Sequence, residues 1–115
     1  MKLLQITQFS EPKPVTVFRL QERISLDNFA ELENITKDLY NDGMRNLVLD
    51  LGETPSISSI GVRAIVVIHK ILAANGGNPL KLAVVPQSIR EVLNIAGITQ
   101  FIEIYDTVEA AVTSF

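Results

Sequence analysis

The chain has 115 residues, 47% of them apolar, 13 acidic against 10 basic side chains for a formal net charge of -3, and no cysteine. That length suits one hydrophobic core, so a single domain over residues 1–115 is expected, and the apolar share excludes a disordered chain. The slight acidity offers no basic excess to nucleic acid or an anionic membrane, and the absence of thiols excludes disulfides, cysteine nucleophiles and cysteine metal sites, which fits a cytoplasmic location.

The opening Met1-Lys2-Leu3-Leu4-Gln5 meets polar residues before a signal-peptide apolar region can form, so the chain is expected to start at Met1. Leu3 to Phe9 and Val15 to Leu20 are rich in apolar and β-branched residues and predict two strands. Between them Ser10-Glu11-Pro12-Lys13-Pro14 carries two prolines that forbid a continuous ladder. Phe29, Leu32, Ile35 and Leu39 then recur at helical spacing, with Asn28 and Glu31 in the positions of a capping box and Gly43 ending a helix that runs to about Asn41. Asn46 to Leu51 reads as a central strand buried on both faces.

After the loop Gly52 to Ile57, residues Ile60, Ala64, Val67, Ile68 and Ile71 form the core stripe of a second predicted helix. Asn75-Gly76-Gly77-Asn78-Pro79 stops that helix, and Leu80 to Val85 follows as another strand. Pro86 opens a short helix in which Ile89, Val92 and Leu93 share a face, closed by Gly97. Phe101 to Ile104 is a last strand. Asp106 and Glu109 give a second acidic cap to a terminal helix striped by Val108, Ala111, Val112 and Phe115. Successive strand-helix-strand crossings predict parallel pairing, and the opening hairpin adds an antiparallel edge. The fold expected is α/β, a mixed sheet of about five strands with four helices.

Chemistry is sparse. His69 stands alone inside a helix, without the converging partners that a metal ligand or general base requires, and is read as a surface or partly packed imidazole. No Gly-x-Ser-x-Gly elbow occurs, and Gly76-Gly77 precedes a strand instead of the Lys-Ser/Thr helix opening of a phosphate-binding loop. Asp50 ends the central strand, and its plain role is to cap the following loop. No enzyme activity, metal or cofactor is expected. The longest apolar run in the second helix, Ala64 to Ile68, falls far short of the roughly 20 residues needed to span a bilayer, so no membrane insertion is expected either.

Ser56-Ile57-Ser58-Ser59-Ile60-Gly61 is different, because it sets three hydroxyls between the central strand and the first turn of the second helix. Unpaired amides and the positive end of the dipole make such a position favourable for a phosphate. Serine is also a preferred N-cap, which gives Ser58 or Ser59 a purely structural reading. Gly61, Val62, Val66, His69 and Ala73 lie opposite the core stripe, apolar where a solvated face carries charge; a protein partner or a neighbouring helix covers them.

The run Asn46 to Leu51, followed by Ile57-Ser58-Ser59-Ile60-Gly61-Val62-Arg63, resembles the STAS domains of anti-sigma factor antagonists over nearly the whole chain. Gly76-Gly77, the segment Pro86 to Leu93 before Gly97, and Ile104-Tyr105-Asp106 extend the likeness. The resemblance implies a STAS fold and a cytoplasmic phosphoprotein in signal transduction and transcription regulation. By that likeness an anti-anti-sigma factor acts by partner switching: it binds a serine kinase that also serves as anti-sigma factor, is released by phosphorylation, and is reset by a phosphatase. Alignment on Gly61 places the acceptor at Ser59, with Ser58 second, and the partner-binding set at Ser56, Ser58, Ser59, Ile60, Gly61, Val62, Arg63 and Val66. Two positions depart from the family pattern: Ser58 replaces the usual acidic residue before the acceptor, and Ser25 replaces one often found after the second strand, with Asp27 close by. The alternative is a constitutive, unphosphorylated STAS subunit of a larger complex such as a transporter. A monomer or weak homodimer is expected.

Overall fold

The two apolar stretches that open the chain fold back on one another as β1 (Leu4–Phe9) and β2 (Val15–Leu20), antiparallel, with Ile6 opposite Phe18. Three further strands, β3 (Leu47–Asp50), β4 (Lys81–Ala83) and β5 (Glu103–Tyr105), extend the sheet in chain order, each parallel to its predecessor. This computed structural model describes residues 3–115, so the expected start at Met1 lies outside them. Parallel neighbours need crossover connections. These are α1 (Phe29–Asn41), α2 (Ser59–Ala73) and α3 (Gln87–Ile95), with α4 (Val108–Thr113) after β5. The expected mixed sheet of five strands with four helices is present.

Alternation along the strands divides the core. Phe18, Leu20, Leu47, Leu49 and Leu82 point to one face, where Leu32, Ile65, Ile68, Leu72, Ile89 and Leu93 from α1, α2 and α3 bury them completely. Val15, Val17, Val48 and Ala83 point to the other face, covered by Ala111 and Val112 of the short α4, with Phe9, Tyr105, Val108 and Phe115 half-buried around them. The main layer is therefore thick and the second thin.

Several local expectations are corrected. Asn28 does not cap α1 through its side chain: its Oδ1 accepts from Ser25 N–H at 2.8 Å and its Nδ2 donates to Arg23 C=O at 3.0 Å, which ties the loop before the helix instead. The cap of α4 is Thr107, whose Oγ1 accepts from Ala110 N–H at 3.0 Å, and not Asp106, because the hydroxyl sits one residue nearer the first turn. In α2 the buried stripe is Gly61, Ala64, Ile65, Ile68 and Leu72, whereas Ile60, Val67 and Ile71 are half-buried. Nearly every residue from Ile60 to Ile68 is apolar, so several stripes satisfy the helical period and only packing selects among them. In α3 Ile89 and Leu93 are buried, but Val92 is exposed.

Ser59–Gly76, which joins α2 to the 3-10 turn after it, is apolar enough over 18 residues to pass for a membrane-crossing helix by composition. Its buried stripe nevertheless packs on the sheet, and Asn75 at φ 57° breaks the helix before Gly76.

Candidate functional site

The site is built where β3 ends. Asp50 is buried, and its Oδ1 accepts from Gly52 N–H at 2.9 Å while Oδ2 accepts from Arg19 Nε at 3.2 Å. The carboxylate thus turns the chain out of the strand, the capping role read from the sequence. It lies on the α4 side of the sheet, beside an open cavity of about 530 Å³ lined by Arg19, Glu53, Val84 and Asp106, and does not meet the serines. Buried Thr54 fastens the loop next, its N–H donating to Leu51 C=O at 3.1 Å and its Oγ1 to Leu20 C=O at 3.4 Å.

Ser58 arrives extended, at φ -114° and ψ 178°, and occupies the N-cap of α2: its C=O accepts the first helical bond, from Val62 N–H at 3.0 Å. Its hydroxyl caps nothing. The amides of the first turn are consequently left without a side-chain acceptor from the cap residue, and α2 has no acidic residue in that turn. Ser59 is the first helical residue and is exposed; Arg63, one turn later, is exposed as well. Arg63 is the only charged residue between Ser59 and His69. Dipole and guanidinium together make this tip positive.

Gly61 leaves the candidate docking surface. It is buried, and a Cβ there would sit 2.6 Å from Ile57 Cγ1 and 3.7 Å from Ile24 Cβ. The missing side chain lets the β2–α1 loop and the β3–α2 loop close over the first turn of α2. Val62 and Val66 are half-buried against the main core, so the strip they form is narrower than the sequence suggests. Ile60 is half-buried too, and Ser56 is exposed in the loop.

His69 packs instead of presenting itself. Its ring lies 5.2 Å from that of Phe101, its Nδ1 is shielded from solvent without a hydrogen-bond partner, and burial lowers its pKa. Among the described residues no group of three or more His, Asp or Glu is arranged to hold a metal ion.

One residue is added by the structure. Leu26 is 73% exposed, two positions beyond the Ile24 that flanks Gly61, in a loop stiffened by Asp27 N–H donating to Ser25 Oγ at 3.2 Å. Its isolated place outside any periodic stripe gave no signal in the sequence. Leu26 belongs to the loop that Ile24 brings against Gly61, in the first turn of α2 that carries Ser59.

These features define a small mixed α/β domain with a hydroxyl-bearing helix tip at one end of its main helix. The family model for the STAS domain matches residues 7–111, and the chain belongs to that family. Among individual proteins it is 32% identical over 96 residues to BtrV of Bordetella bronchiseptica, described as an anti-sigma factor antagonist; the match covers 84% of this chain and 82% of that protein. The fold of an anti-sigma factor antagonist from Thermotoga maritima superposes with a TM-score of 0.86 at 21% identity, covering 96% of this chain and 92% of that one. The Bacillus cell fate determinant SpoIIAA in its phosphorylated form superposes at 0.70 and 14% identity, covering 96% and 98%. The unphosphorylated SpoIIAA structure gives 0.73 and 13%, covering 96% and 94%.

Proposed function

We propose that this protein is an anti-sigma factor antagonist that binds a partner-switching serine kinase while Ser59 is unmodified and is released when Ser59 is phosphorylated. The carrying observation is the exposed Ser59 at the first position of α2, at a helix tip that its own cap residue leaves unsatisfied. The description of BtrV, and the occurrence of the same fold in both phosphorylation states of SpoIIAA, support this reading. A kinase that spends ATP on this serine puts the protein in the cytoplasm.

The geometry supplies a mechanism. A phosphoserine brings about -1.5 to -2 charges and three acceptor oxygens. At the first helical position these meet free amides, the positive dipole end and Arg63 one turn away, so the charge is held locally and the fold persists. The surface changes sign locally: a first helical turn that holds no acidic residue, with Arg63 one turn on, becomes anionic beside the exposed part of Val62. A partner shaped for an apolar patch with a positive border then meets desolvation and like-charge costs.

The test is incubation with ATP and the serine kinase isolated on the immobilised protein from its own cell extract, followed by mass spectrometry of the peptide containing Ser56, Ser58 and Ser59. Phosphate on Ser59 is the expected result. Phosphate on Ser58 alone, or a bound partner that leaves all three serines unmodified, overturns the switch and favours a constitutive STAS subunit.

A further inference from the structure

β1 is the outer strand of the sheet, and among the described residues no strand pairs with its far edge. Two hydrogen bonds show which backbone groups face outward. Gln21 N–H donates to Leu3 C=O at 2.8 Å, in the same register that sets Ile6 opposite Phe18, while Thr16 N–H donates in the other direction, to Asn46 C=O at 2.9 Å. Bonded and non-bonded pairs alternate along an antiparallel ladder. Gln5, Thr7 and Phe9 therefore turn their amides and carbonyls to β2, and Leu4, Ile6 and Gln8 turn theirs away from the sheet.

Natural edges are blunted by charge, proline or a bulge. Leu4-Gln5-Ile6-Thr7-Gln8-Phe9 contains no charge and no proline, and its register with β2 runs without a bulge. Ile6 is 46% exposed, and beside it an open groove of about 660 Å³ runs between the edge and α1, lined by Leu4, Ile6, Glu31 and Ile35.

We propose that β1 pairs antiparallel with β1 of a second copy about a two-fold axis through Ile6, joining the two sheets into one. The axis must stand perpendicular to the sheet so that each helical layer continues on its own side, which requires residues of the same facing to lie opposite. Bonding requires outward groups to meet outward groups. Centring on Ile6 satisfies both: Ile6 faces its own copy and Leu4 faces Gln8, so all three outward residues bond, with about six new N–H···O contacts.

Centring on Leu4 or Gln8 wastes outward groups. Charge favours a second copy over an acidic peptide, because the strand itself carries no charge to set opposite its copy in the ladder while Glu31 beside it repels added acids. The contact is a single edge of six residues, about 20 Å long, smaller than a standard interface, so the dimer is weak and concentration-dependent. Ser59 and Arg63 are not on this edge, and the dimer does not depend on the proposed switch.

Sedimentation and amide hydrogen exchange of the full chain, at about 20 μM and about 1 mM, test this pairing. A dimer is expected at the higher concentration, with at least about tenfold slower exchange at the amides of Leu4, Ile6 and Gln8 and no change at Gln5 and Thr7, which are already bonded. Ile6→Lys, which sets two ammonium groups on the axis, removes both effects. Gln8→Pro deletes an outward amide that β2 does not use, and is expected to keep the fold and weaken the dimer. A monomer at the higher concentration overturns the pairing, and so does concentration-dependent protection confined to other elements.

Discussion

Ser59→Asp isolates the local half of the proposed switch, since it adds a negative charge at the first helical position of α2 without needing a partner. The residue is exposed, no acid already occupies the first turn, and Arg63 lies at i+4. A carboxylate in the first turn of an exposed helix contributes about 0.3–1 kcal/mol, and an i,i+4 pair about 0.2–0.5 kcal/mol. Serine and aspartate differ little in intrinsic helix preference. The sum is a stabilisation of about 0.5–1.5 kcal/mol, equivalent to a rise in Tm of roughly 2–7 °C for a domain of this size.

Urea unfolding followed by circular dichroism measures it, at low ionic strength and again near 1 M salt, where a Debye length of about 3 Å removes most of the gain. Repeating the measurement in an Arg63→Ala background separates the guanidinium from the dipole. A loss of more than about 1 kcal/mol at low salt refutes the reasoning, because it means that the 59 side chain meets packing or negative charge instead of a positive tip.

Other consequences follow from single residues. Val84 holds φ 56° although it is β-branched, and its side chain is 39% exposed; Val84→Asn, which tolerates that backbone, is expected to stabilise by about 0.5–1 kcal/mol in urea, whereas a loss would show that packing over Gly52 outweighs the strain. His69, its pKa lowered by burial, takes up its proton later than the unfolded imidazole does as pH falls. Its share of stability is therefore full above about pH 6.5 and declines as pH drops through that value toward the folded pKa, so His69→Phe is expected to flatten the urea midpoint between about pH 7.5 and 5. An unchanged slope would assign the acid sensitivity to other groups. Asp50→Ala removes the acceptor of Gly52 N–H and of half-exposed Arg19, with an expected cost of about 1.5–3 kcal/mol by the same assay; a cost under 0.5 would mean that the β3–α2 turn holds without it.

The succession of strands and helices was legible because the apolar runs are short, well separated and punctuated by Gly and Pro, whereas the order of the strands across the sheet was not read from it. The two faces of the sheet emerge from alternation, as in Val17 against Phe18. Less was legible in α2, whose almost continuous apolar sequence satisfies several helical stripes at once; the stripe is decided by contacts with the sheet, which lie far away in the chain. Gly61 illustrates this, since its role depends on Ile24, distant in sequence and close in space.

Caps failed for a related reason. Asn28 and Asp106 have suitable chemistry, but loop bonds to Arg23 and the competing hydroxyl of Thr107 determine what each end uses. The serine tip itself was visible as a cluster of hydroxyls before a helix. Exposed Leu26, two residues beyond Ile24, was not, because a single exposed leucine in a loop has no period.

The most direct measurement of the central claim is calorimetric titration of the partner kinase, in the absence of ATP, with the unmodified protein and with protein phosphorylated stoichiometrically on Ser59. A change of surface sign at a desolvated border is expected to cost roughly 3 kcal/mol or more, which is about a hundredfold weaker binding for the phosphorylated form. Equal affinities for the two forms would contradict the account.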